Sequence, residues 1–278
     1  IQTFVTFHST VDVGSGAKTK TLRALLPQLA HCTRILVHGV QDLNRLKSWG
    51  LSANCTLFPH GVEPYRPAVA GTVPAYLKGR RIIASYGFLL PHKGIGPLIE
   101  AFAQLGSRHP DTHRLLVNAE FPVPDSLREA NACRERIERL GLQDRVTLIT
   151  DFLEDSESLA WLALAELIVF PYQHTQESSS AAVRWGLATG RPVLCTPLDI
   201  FEDVAEAVVA LPGTSVSAIA AGLDDWLGCS RRRKREQADR QARWLEQHDW
   251  SRLSHRLVRL CTALRLNEPA PNATDSVG

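Results

Sequence analysis

Two short stretches of this 278-residue chain place chemistry-bearing residues at the start of a helix. The first is YGFLLPHKGIGPLIEAF, where Gly87 ends a β-rich run and Lys93-Gly94 precedes an apolar helical pattern. Gly87 permits a sharp backbone turn. Free N–H groups and the dipole at a helix N-terminus attract anions, and a lysine there adds a compact charge suited to a diphosphate. The plainer reading is a surface lysine beside a helix start. The second stretch, FPYQHTQESSSAAVRWGLATGRPV, sets Glu177 and Ser178, Ser179 and Ser180 before another helix. One serine is explained as an N-cap that satisfies orphan N–H groups. The carboxylate with three small polar residues is not: Glu177 can accept hydrogen bonds from sugar hydroxyls, while serine backbone N–H groups donate to a phosphate. Neither stretch is G-x-G-x-x-G or G-x-x-x-x-G-K-[ST], so the dinucleotide fingerprint and the P-loop are both absent.

Strands must deliver these loops, and the sequence predicts them. TFVTFHS, TRILVH and CTLFP read as strands, separated by helical KTKTLRALLPQLAH (with Pro27 as a bend) and VQDLNRLKSWG. A Pro/Gly-rich, aperiodic linker follows at 63–79, its hinge-like character beginning near residue 59. The alternation then restarts: strands RIIASYGF, HRLLVNAE, RVTLIT, ELIVFP, RPVLCT and AVVAL, with helices between the first five of them and helical sequence from 216 to 266. Strands alternating with helices predict parallel sheets covered on both faces. The expected division is an N-terminal α/β portion over 1–62, the linker, an α/β domain over 80–248, a closing helix over 249–266 and a disordered tail over 267–278. Ligands bind beyond the carboxyl ends of parallel strands, so the loops after SYGF, LLVNAE, LIT and IVFP should carry the chemistry.

Composition narrows the class. A net charge of +2 argues against nucleic acid as a partner, and 44% apolar with 22% charged residues is ordinary for a globular protein. No apolar run reaches the roughly 20 residues a membrane span needs, and IQTFVTFHS reads as a strand rather than a signal peptide. The six cysteines form no C-x-x-C pair and read as reduced core thiols of a cytoplasmic protein. No cluster has metal-ligand spacing, so no bound metal or cofactor is expected. The basic run RRRKRE at 231–236 reads first as a solvated helix face, with peripheral contact to anionic lipid as the second reading. His60, His92 and His174 lie in turns or loops near the expected cleft, where structural roles are the first reading. The N-x-[ST] matches at Asn54 and Asn272 read as chance. The chain contains no methionine and begins inside a strand pattern, which reads as a piece whose start lies upstream.

In order and character, these motifs resemble the donor-site signatures of family-4 retaining glycosyltransferases with the GT-B fold. GFLLPHKG is similar to their strand-Gly-Arg…Lys-Gly-helix signature, and ESSSAAVRWGLATGRPV to their Glu-x7-Glu…Gly-x-Pro-Val. VTFHS, the crossing ILVHGVQDLNRLKSWGLSANCTLFPHGVEPYRP and the closing HDWSRLSHRLVRLC extend the resemblance over nearly the whole chain. It implies two Rossmann-type parallel-sheet domains, the N-terminal one incomplete here. Lys93, with Gly87 and Gly94, would hold the donor diphosphate, and Glu177 would bind hydroxyls of the transferred sugar. Ser179 and Ser180 stand where the family has a Gly-rich turn and would offer N–H groups. His8 matches a histidine near the transferred sugar, with Ser9 beside it. Ser178, Arg184 and Trp185 would lie near the sugar or nucleoside. Two positions depart from the family. Phe88 replaces the arginine after Gly87, and Trp185 replaces the second glutamate, whose ribose hydrogen bonds an indole cannot accept. Trp185 would stack on a base or pack; Arg184 would either restore the lost charge or sit at the core edge.

The expected function is metal-independent transfer of a hexose, mannose by resemblance to GDP-mannose users, from a nucleotide-sugar co-substrate to a glycan or lipid-linked acceptor in glycan biosynthesis. A nucleotide-sugar-binding module without turnover, and another GT-B activity such as a phosphorylase or epimerase, are the alternatives.

Overall fold

A computed structural model describes residues 2–12, 21–65, 73–106, 108–175 and 177–266. Much of the linker and the whole predicted tail at 267–278 lie outside the described residues, as does Asn272.

The first sheet is parallel, in the order β1 (Phe4–Phe7), β2 (Arg34–Val37), β3 (Cys55–Leu57). Ile35, Leu36 and Val37 of β2 are buried, as expected for a central strand whose apolar run is covered on both sides. Helix α1 (Leu26–Ala30) and α2 (Val40–Ser48) connect the strands. Pro27 sits in the first turn of α1, where its missing N–H costs nothing, and a 3₁₀ turn at Leu22–Leu25 precedes it.

The second sheet has six parallel strands in the order β6-β5-β4-β7-β8-β9: β4 (Arg81–Phe88), β5 (Thr112–Ala119), β6 (Val146–Ile149), β7 (Leu167–Phe170), β8 (Val193–Cys195) and β9 (Val209–Ala210). Helices α3 (Ile95–Gln104), α4 (Pro124–Arg139), α5 (Asp155–Ala163), α6 (Ala181–Ala188) and α7 (Val216–Gly228) cover it, followed by α8 (Arg231–His248) and α9 (Trp250–Leu266). Side chains alternate across each strand. Ile83 and Leu116 pack with Leu98, Phe102, Leu223 and Trp226 on one face. Ile82, Ala84 and Leu115 pack with Leu162, Val183, Leu187 and Trp244 on the other.

The chain grows outward from β4 through β5 to β6, then returns beside β4 as β7 and grows the other way. The strand order therefore reverses between β4 and β7, and a crevice opens where two βα loops part at such a switch point. The two motif-bearing stretches are the loops leaving these two strands.

The sheets are tied together around the start of α9. Val62 bridges to Asp249, its N–H donating to His248 O (2.8 Å) and its carbonyl accepting from Trp250 N (3.1 Å). A Cβ at Gly61 would stand 2.4 Å from the Trp250 ring, so only glycine lets the strands' exit pass under α9. Leu253 of α9 then packs on Leu36 and Phe58 of the first sheet.

The structure amends two expectations. The sequence RPVLCT…AVVAL was read as strand to strand, but a 3₁₀ turn at Asp199–Val204 stands between them. All six cysteines are free, yet only Cys133 and Cys195 are core; Cys32, Cys55, Cys229 and Cys261 are half-buried. The basic run opens α8, where Arg232, Arg233 and Lys234 pair with Glu236, Asp225 and Glu166. Among the described residues no helix is long and apolar enough to cross a membrane.

Candidate functional site

β4 ends at Gly87–Phe88, where Gly87 has φ 129° and a Cβ would touch Ala182 of α6 at 3.4 Å. The chain turns through a 3₁₀ segment, Pro91–Lys93, to Gly94, which caps α3 with φ 73°. A Cβ at Gly94 would lie 2.0 Å from the Pro171 carbonyl, so the loop after β7 presses directly on this glycine. That contact brings the two stretches together. Lys93 Nζ donates to Glu177 Oε2 at 3.2 Å and lies 4.1 Å over the Tyr172 ring. Lys93 is buried, whereas the Glu177 side chain is 53% exposed.

The three serines do three different things. Ser180 is the N-cap of α6: its Oγ accepts from Val183 N (3.3 Å) and shares a hydrogen bond with Tyr172 OH (3.2 Å). Ser179 Oγ donates to Asp203 Oδ2 at 3.0 Å. Ser178 Oγ donates to Ser9 Oγ at 3.3 Å, joining the second sheet's loop to the first sheet's. The loop carrying His8 and Ser9 is itself fixed by Asp42 of α2, which accepts from Thr10 N at 2.9 Å.

A cavity of about 500 Å³ collects His8, Gly87, Lys93, Glu177, Ser179, Ser180 and Trp185 on one wall system, with Phe88 and Phe152 at its side. Ser178 lies outside it, on a neighbouring cleft of about 780 Å³ that shares Glu177. Gly94 shapes the loop without lining the cavity. Arg184 does not reach it either. Its side chain is 4% exposed, ion-paired to Asp203, with Nη1 donating to Ser180 O at 2.7 Å. The structure places this arginine in the core between the sheets, so it does not supply the charge that Phe88 removes. Trp185 packs on Tyr86, ring centroids 5.6 Å apart.

Sequence reasoning passed over His38 and Asp203. His8, His38 and His60 follow β1, β2 and β3, and their ring centroids lie 4.9, 5.1 and 6.0 Å apart. The signal was present: each of three adjacent parallel strands runs into a histidine just past its apolar residues. Burial and the neighbouring Arg184 charge push His60 down to about 4, and burial lowers His38. His38 and His60 are therefore neutral at pH 7 and serve as hydrogen-bonding groups rather than cations. His38 Nε2 and Asp203 Oδ1 are buried without a hydrogen-bond partner. Asp203 left no signal, because the 3₁₀ turn that carries it has no periodicity. His92 is half-buried behind Lys93, and His174 lines the larger cleft. Among the described residues no group of three His, Cys, Asp or Glu side chains is placed to hold a metal ion.

Two parallel α/β sheets with a cavity between their carboxyl ends define the GT-B architecture of glycosyltransferases. The chain belongs to the glycosyl transferases group 1 family, whose pattern matches residues 74–244. No curated protein matches it by sequence. Among solved structures it is similar to sucrose-phosphate synthase from Thermosynechococcus elongatus, with TM-score 0.75 and 20% identity over 95% of this chain and 68% of that one. It is also similar to HepE of Anabaena, solved with UDP and glucose (0.73, 13%, 94% and 72%). A third is the trehalose-6-phosphate synthase of Burkholderia multivorans (0.72, 12%, 87% and 62%).

Proposed function

We propose that the chain transfers a hexosyl group from a nucleotide-sugar to an acceptor hydroxyl of a glycan or lipid-linked substrate. The observation that carries this reading is the meeting of Lys93 and Glu177, 84 residues apart in sequence, 3.2 Å apart on one cavity wall. Lys93 and the N-terminus of α6 supply positive potential to a departing diphosphate, which develops charge as the glycosidic bond breaks. Glu177, half exposed, accepts hydrogen bonds from sugar hydroxyls once Lys93 turns to phosphate. His8, brought from the other sheet, contacts the sugar. In this reading the charge at the leaving group is balanced by protein groups rather than a metal, and the sugar is transferred with retention, as in the family the sequence resembles. Family membership and the UDP and glucose bound by HepE support a nucleotide-sugar donor.

Donor hydrolysis or transfer by the wild type, compared with Lys93→Ala and Glu177→Ala, tests the assignment. Both variants should lose activity; wild-type rates in both would show that the cavity is not the site. A chain that binds a nucleotide-sugar but turns over with no acceptor would instead be a binding module, a reading that Phe88 and Trp185 favour.

A further inference from the structure

The serine turn before α6 is made of loop backbone. Ser178 and Ser179 lie between β7 and α6 and belong to neither, so no ladder or helix fixes their peptide planes. Yet N–H groups that stabilise a departing diphosphate must be aimed before its charge develops. Side chains from outside the turn hold it, and the bonds run through one buried ion pair. Ser179 Oγ donates to Asp203 Oδ2 at 3.0 Å, and the Arg184 guanidinium pairs with that same oxygen. Arg184 Nη1 donates to Ser180 O at 2.7 Å, and its Nε donates to His60 O at 3.4 Å. One carboxylate oxygen and one guanidinium thus connect the turn, the N-cap of α6 and the exit of the first sheet.

Neither Arg184 nor Asp203 lines the donor cavity, whereas Ser179, Ser180 and Ala181 do. In a planar trans peptide the N–H points opposite to the C=O. Arg184, by holding the Ser180 carbonyl, therefore fixes the direction of the Ala181 N–H, which opens α6 and has no intrahelical acceptor. The brace extends to the cation of the site, because Ser180 Oγ meets Tyr172 OH at 3.2 Å and Lys93 lies over that ring. We propose that Arg184 and Asp203 are positioning residues for transfer: they hold the serine turn, and with it the free N–H groups of α6, in register with the sheet that carries His8. The proposal rests on the donor reading given above. It gives the buried pair a duty in the reaction beyond joining the sheets, exerted through Ser179 and Ser180 without contact with the donor.

Donor hydrolysis by the whole chain tests this, with UDP-glucose, GDP-mannose and ADP-glucose as probes and kcat and KM measured separately on the fastest. Ser179→Ala removes the hydroxyl and leaves the ion pair whole, so it should melt with the wild type. Its kcat should fall about tenfold while KM stays within about twofold, since a misplaced group costs most in the transition state. Asp203→Asn, assayed where circular dichroism shows it fully folded, should lose as much or more. Adding Ser179→Ala to it should then cost nothing further, because both changes cut the same tether. Where Asp203→Asn does not fold, Arg184→Lys takes its place: an ammonium keeps the charge but lacks the fork that reaches Ser180 O and Asp203 together. A wild-type kcat in either single variant overturns the proposal. So do losses that multiply in the double variant, which would mean that Ser179 meets the donor directly and the pair serves stability alone. Both results leave the donor reading standing. If the wild type turns over none of the three probes, the donor reading falls and the proposal falls with it.

Discussion

Glu177 and Arg184 stand seven residues apart, and each forms an ion pair, but the two pairs live in different surroundings. Arg184 and Asp203 are 4% and 11% exposed, wedged between the sheets under His38 and His60. Lys93 and Glu177 are 11% and 53% exposed on the wall of an open cavity. In the first pair each charge depends on its partner, because water cannot replace it. In the second, the carboxylate can exchange its lysine for water or a ligand at little cost. The contrast separates what holds the two sheets together from what remains available for chemistry, although both start from one helix entrance.

The sharpest way to break this contrast is Asp203→Ala. It leaves the Arg184 guanidinium buried and uncompensated and takes the acceptor from Ser179 as well. Removing one partner of a buried pair costs about 3–5 kcal/mol. The urea midpoint should fall accordingly; a loss below about 1 kcal/mol would show that water reaches this joint. Lys93→Ala should do the opposite. Its partner is solvated, so stability should change by no more than about 1 kcal/mol. Transfer should fall by about 10²–10³-fold, the scale of losing one preorganised charge at a developing anion. A Lys93→Ala protein that unfolds as readily as Asp203→Ala would erase the distinction between the two pairs.

Acid separates the regions next. His60 is pushed down to about 4 from an ordinary value of 6.5, first by burial and then by Arg184. A histidine with a depressed folded-state pKa binds fewer protons in the fold than in the unfolded chain. Its contribution to stability is therefore complete above pH 6.5 and is lost as pH falls from about 6.5 toward 4. Because the ring is only partly buried, screening reduces the effect to on the order of 1–2 kcal/mol. His60→Gln should flatten the stability profile across that window. An unchanged slope would place the titration at other groups, of which His38 and His248 shift in the same direction.

Why these contrasts were only half visible in the sequence follows from how each residue is placed. The strands of the second sheet and the helices between the first five follow from the alternation of apolar runs with helical spacing, which is a local signal, whereas the helical stretch over 216–266 divides into α7, α8 and α9. That Lys93 and Glu177 share a wall follows from the same signal plus one topological rule, since loops after parallel strands gather at one end. The separate duties of Ser178, Ser179 and Ser180 depend on Ser9 and Asp203, which approach from distant segments and carry no mark of it. Arg184 looked like a candidate ligand because helical spacing from Glu177 says which turn it occupies but not what packs against that turn. Its partner sits on a 3₁₀ turn whose sequence, DIFEDV, has neither the helical nor the strand period. His60 is legible as a turn residue, whereas His8 and His38 fall at the ends of strand patterns. Their convergence appears only when β1, β2 and β3 are laid side by side.

The smallest effect is expected on α8, which extends the comparison to a third pair. Arg233 meets Asp225 at 2.7 Å, closer than Lys93 meets Glu177, yet the side chains are 47% and 60% exposed. Distance alone would rank this the stronger interaction. Water screens both charges, and ordering two long side chains offsets most of the Coulomb gain, so Arg233→Ala should cost about 0.5 kcal/mol or less. Even that should vanish in 1 M salt, where the Debye length is about 3 Å. The Asp203→Ala loss should persist there, because ions do not enter the joint. If Arg233→Ala and Asp203→Ala responded alike to salt, burial would not be what distinguishes the ion pairs of this fold. Glu177 would then lose its standing as the carboxylate left free for a ligand.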